Sequence, residues 1–190
     1  MKKLVTIACV IAMAAVAQAG AVKWSAMTLD ASPSGGYTAS TTYIAYFFDA
    51  GVTDISTVTG YLTKEGGADI ASFVSASVDN NTATYNTTKE TMTFSAKSYG
   101  DFAQGDTFSG YMIILDASTA ADAKNYLVAT KSGDQVLTTT AFGKTGDKSL
   151  AWGSQEGVAW STVSTSVPEP TSGLLMLIGI AGLALRRRRA

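Results

Sequence analysis

Histidine is absent from this 190-residue chain, and its one cysteine, Cys9, lies close to the N-terminus. Without these two residue types, a body of the chain has no base for a Ser-His-Asp or Cys-His nucleophile. It also lacks the nitrogen and sulfur donors that zinc, copper and haem sites use. No stretch fits GxxxxGK[ST], and no GxGxxG follows an apolar strand, so no phosphate-binding loop is expected. What remains is acid–base work by two facing carboxyl groups, the chemistry of glycoside hydrolysis. The 15 acidic residues are scattered, mostly beside Gly, Ser, Thr or Ala, in the pattern of turn formation and solubility. A body of this size is also small for a substrate cleft. The expectation is a non-enzyme without cofactor or metal.

Asp79-Asn80-Asn81, or Asp116 with Asp122, could supply oxygen ligands for calcium, but no D-x-[DN]-x-[DN]-G loop accompanies them, so ordinary turn chemistry is the expectation. Asn80-Asn81-Thr82 and Asn86-Thr87-Thr88 read as glycosylation sequons, relevant only in a host with that pathway. Trp24, Trp152 and Trp160, with Tyr37, are the aromatic residues from which a glycan-stacking face could be built; in a β-sandwich such rings ordinarily pack in the core or along an edge.

The charge is segregated. Between Lys23 and Glu169 there are eight lysines, no arginine and all 15 acids, a net charge of −7, while the whole chain is near −1. An acidic, arginine-free body argues against nucleic acid and against anionic membrane surfaces as partners.

The elements that would position these residues are strands. Runs rich in Thr, Ser, Val, Tyr and Phe alternate with turn signals such as KEGG, VDNN, KSGD, KTGD and GSQEG. In AVKWSAMTL, Val22, Trp24 and Ala26 fall on one face. STTYIAYFFDA and DTFSGYMIILD are apolar enough to be covered on both faces. IASFVSASV alternates as a strand would, and TATYN and ETMTFSA flank NTTK as a hairpin. One stretch has a helical period: Ile55, Val58 and Leu62, with Asp54 as cap and Gly66 as stop. DASTAADAK fits a helix or a loop equally well. YIAYFFDA and YMIILDA echo one another, and so do VKWS and VAWS; if the second echo is structural, the first and last strands are neighbours. About nine short strands predict a mainly β fold, an antiparallel sandwich or jelly-roll-like body.

Both ends carry addresses. Lys2 and Lys3, the apolar run Leu4 to Val16 and Ala17-Gln18-Ala19 form a cleavable signal peptide, with cleavage after Ala19. Cys9 lies too early in it for lipid attachment. At the other end, Pro168-Glu169-Pro170 precedes GLLMLIGIAGLAL (173–185) and the cluster Arg186, Arg187, Arg188 and Arg189. Thirteen helical residues rise about 20 Å, a marginal membrane span that flanking residues and snorkelling arginines can extend. The arginines act as a cytoplasmic stop, which leaves the body on the far side, in agreement with the leader. Pro168 and Pro170 fix φ and remove backbone donors, so the triplet stays extended and accessible.

The triplet, the apolar helix and the terminal arginines together resemble the PEP-CTERM sorting signal. The resemblance implies a bacterial exported protein whose tail is recognised by an exosortase, a membrane-embedded cysteine transpeptidase-like enzyme. Pro168, Glu169 and Pro170 would be the recognition element, with processing nearby and delivery to the cell surface or an exopolysaccharide matrix. The domain plan is therefore 1–19 signal peptide, 20–166 β-rich body and 167–190 sorting segment. The expected partners are signal peptidase and the secretion machinery, exosortase, the membrane transiently through 173–185, and extracellular polysaccharide, with no nucleic acid. The primary reading is a non-catalytic structural or matrix-associated protein. A carbohydrate-binding or adhesive module comes second, and a small glycan-active enzyme third.

Overall fold

Six consecutive side chains, Tyr43 to Phe48, are buried in strand β2 (Thr42–Asp49). A strand turns successive side chains to opposite faces, so such a run needs cover on both sides. The fold supplies it with three layers. The computed structural model describes residues 20–29, 42–86, 88–89, 91–143 and 146–165. The expected signal peptide, Ala17 and Ala19 included, Tyr37, and the expected sorting segment 167–190 lie outside the described residues.

The remaining strands are β1 (Gly20–Leu29), β3 (Asp79–Thr84), β4 (Thr91–Phe102), β5 (Ser109–Leu115), β6 (Asn125–Val128), β7 (Leu137–Thr138), β8 (Lys148–Ser154) and β9 (Ser161–Thr162). A three-stranded sheet has the order β4-β1-β8. A larger sheet has the order β3-β2-β5-β6-β9, with β7 also paired to β5. The body is mainly β, as expected. One pair departs from the expected antiparallel pattern: β1 runs parallel to β8, with Trp24 opposite Leu150.

Between the sheets lies one core. Tyr43, Ala45 and Phe47 of β2, Met112 and Ile114 of β5 and Leu127 of β6 meet Val22, Trp24, Met92, Phe94, Leu150 and Trp152. Phe47 stacks on Trp24 at 5.0 Å between centroids and meets Trp152 edge-on at 6.1 Å. Gly110 of β5 is required beside it, because a Cβ there would stand 2.7 Å from the Phe47 ring and 2.8 Å from Phe108.

The other face of the larger sheet carries helices. Ile44, Tyr46 and Phe48, with Tyr111, Ile113 and Leu115, pack against Val58 and Leu62 of α1 (Ile55–Leu62) and Phe73 of α2 (Ile70–Ala76). Helix α1 follows the expected period. Helix α2 replaces the strand expected from IASFVSASV. Ile70, Phe73 and Ala76 also satisfy a helical spacing, and the Asp69 carboxylate accepts from the Ser72 N–H as an N-cap. DASTAADAK resolves to a single 3₁₀ turn, Ala120–Asp122.

The expected hairpin around NTTK is only partly formed. Asn86 and Thr91 make one bridge, and Asn86 Oδ1 accepts from the Thr88 and Lys89 amides, but β3 and β4 belong to different sheets. The YIAYFFDA and YMIILDA echo corresponds to two paired central strands, β2 and β5. The likeness ends there, since two α-helices follow one, and a single 3₁₀ turn and a strand the other. The VKWS and VAWS echo carries no pairing: β9 joins β6 in the larger sheet, while β1 lies in the smaller.

Candidate sorting site at the exit of the chain

The last described residues are held on three sides. Ser161 and Thr162 pair with Tyr126 and Asn125 of β6. The Val163 N–H donates to the Lys124 carbonyl at 2.8 Å, and the Val163 side chain, 3% exposed, enters the core under the helices. The Ser164 N–H donates to the Leu62 carbonyl at 2.8 Å, and the Ser164 carbonyl accepts from the Ala68 N–H at 2.9 Å. The chain is thus tied at Val163 and Ser164 to the end of α1 and to the α1–α2 turn, just before the last described residue, Thr165.

Local chemistry builds that turn. Asp54 caps α1, accepting from Ser56 Oγ at 2.6 Å, the Thr57 N–H at 2.8 Å and Thr57 Oγ1 at 2.8 Å. These bonds, that of Ser56 foremost, lower its pKa to about 2. Gly66 and Gly67 adopt positive φ, 85° and 125°, and reverse the chain. Asp69 caps α2 and pairs with Lys64 at 3.3 Å; the Ser72 N–H is the main cause of its lowered pKa. Beside the exit lies an open depression bordered by Gly66, Ala68, Ile70, Ala121 and Thr165.

The tryptophans form no surface row. Trp24 is 0% exposed and Trp152 1%, so neither presents a face to a sugar. Each indole N–H is satisfied internally, Trp24 by Asp79 Oδ2 at 3.1 Å and Trp152 by the Gln135 carbonyl at 3.2 Å. Trp160 is half-buried against the inner core, 6.1 Å from the Tyr43 ring. The glycan-stacking expectation is therefore corrected for Trp24 and Trp152, which are core residues.

The oxygen clusters are engaged as well. Asp79 accepts from Trp24, from the Lys97 ammonium and from the Asn80 amide. Asp116 accepts from the Lys124 and Asn125 amides and from Asn125 Nδ2, all at 2.8 Å. Asp122 accepts from Thr119 Oγ1 at 2.6 Å. Among the described residues there is no group of three or more His, Cys, Asp or Glu placed to hold a metal ion. Among the same residues no helix is long and apolar enough to cross a membrane.

Two features were missed in the sequence. One is the Val163–Ser164 tie, whose only signal is a lone valine in the polar run STVSTS. The other is the Asp79–Lys97 pair, which links the sheets across 18 residues. Pro168, Glu169, Pro170 and Arg186 to Arg189 lie outside the described residues.

No curated protein and no solved structure matches the chain. A family model does match where the body ends: residues 166–189, beginning two positions after Ser164, carry the PEP-CTERM protein-sorting motif.

Proposed function

We propose that this is an exported, non-catalytic structural protein of the bacterial cell surface or extracellular matrix, handed to an exosortase by its C-terminal segment. The match at 166–189 carries the reading, because that motif implies an exported protein with exosortase as its processing partner and sorting to the cell surface. The leader at 1–19 supports the same direction of transport. The acidic body suits a solvated life outside the cytoplasm. The membrane would hold residues 173–185 only until processing. Pro168, Glu169 and Pro170 would be read by the enzyme, and Arg186 to Arg189 would stay in the cytoplasm.

Intact-mass measurement of the protein from an exosortase-bearing host tests this. Loss of residues 1–19 and of the apolar-arginine tail is expected. Replacing Pro168, Glu169 and Pro170 together by alanine should leave the tail in place. An extracellular protein with an intact C-terminus would refute the processing.

A further inference from the structure

We propose that the rim around the chain's exit, formed by the α1–α2 turn and the 3₁₀ turn Ala120–Asp122, is a second contact surface for the membrane-embedded enzyme that processes the tail. The proposal rests on the sorting reading above and adds a surface to it. Ser164 is fixed through both its N–H and its carbonyl. Pro168 follows four residues later. Even fully extended, those residues span roughly 14 Å. The apolar run begins at Gly173, nine residues from Ser164 and at most about 32 Å away. A specific protein contact covers about 800 Å² on each partner, a disc of roughly 16 Å radius. An enzyme that grips the triplet with a footprint of that size would reach the rim.

The rim's chemistry fits such an approach. Its apex consists of small residues, Gly66, Gly67 and the exposed Ala121, which let another surface come close. Around them Lys64, Glu65, Asp69, Asp122 and Lys124 sum to a charge of −1, a small share of the negative excess the body carries. The partner that fits is the extracytoplasmic face of the exosortase.

The test uses the full-length chain in an exosortase-bearing host, with tail loss followed by pulse-chase. Ala121→Trp combined with Asp122→Arg adds bulk and charge at exposed positions. It should slow tail loss by about fivefold or more. Lys89→Trp, on the exposed β3–β4 turn, should leave the rate unchanged. A ten-residue Gly-Ser insertion after Thr165 should make the rim variant and the unsubstituted rim equally fast, because the enzyme then reaches the triplet without meeting the body. Urea midpoints of each variant confirm that the body is folded. Unaltered tail loss in the rim variant without the insertion overturns the proposal, as does a slowing that the insertion leaves in place. Tail loss that persists after alanine replacement of Pro168, Glu169 and Pro170 overturns the sorting reading itself.

Discussion

Asp54 stands fully exposed, yet three hydrogen bonds make its ionised form the one the helix needs. Its folded pKa is depressed, so its contribution is complete above the ordinary carboxylate range and is lost as pH falls through about 2. The urea midpoint of Asp54→Ala should therefore lie below the wild-type value at neutral pH, and the two should converge by about pH 2. Asp79 acts differently, since removing it strands the buried Trp24 indole N–H. Asp79→Ala should cost about 1–3 kcal/mol in chemical denaturation. Phe47→Ala opens a cavity among Trp24, Phe108 and Trp152, and about 3–5 kcal/mol is expected. The two aspartates show what can be read from a sequence. A cap is local, so Asp54 was legible from its own neighbours. The partner of Trp24 is 55 residues away, so whether that ring was platform or core depended on contacts the sequence does not display.

Elements tell a similar story. Strands β1, β2 and β5 followed their hydrophobic patterns because each must bury one or both faces, and that demand is written into alternation or continuous apolarity. The segment 70–76 satisfied two periods at once, and the choice fell to its surroundings: a capping aspartate, and one phenylalanine that fits under Tyr46 and Phe48. The parallel β1–β8 pair was invisible for the same reason, since pairing partners far apart in sequence leave no local mark. One of the two shortest strands has the clearest consequence. β9 has two residues, so the exit depends on Val163 and Ser164 rather than on its ladder. Val163→Ala should cost about 2 kcal/mol. Ser164→Pro removes the donor to Leu62, and limited proteolysis should then cut near 161–165 well before the rest of the body.

At the scale of the molecule, one sheet serves two cores. The larger sheet is sandwiched between the smaller sheet and the helices, so its central strands, β2 and β5, are the most protected part of the fold. Native-state hydrogen exchange should find the slowest amides there, and the fastest in 131–136 and around β9. The tail is attached on the helical side of this arrangement, away from the core that holds the tryptophans.

The middle position of β1 in its sheet has a consequence for the order of events during export. Among the described strands it is made first, yet one of its two partners, β8, is made next to last. The smaller sheet therefore stays open until residues up to Ser154 have crossed the membrane, twelve positions before the sorting motif begins at residue 166. Contacts between the two ends of a chain are slow to form. Translocation and folding are in this way coupled: export intermediates stalled near residue 143 should be digested by external protease, whereas those exposing the chain through Thr165 should resist it. The body becomes a finished cargo just as its address emerges.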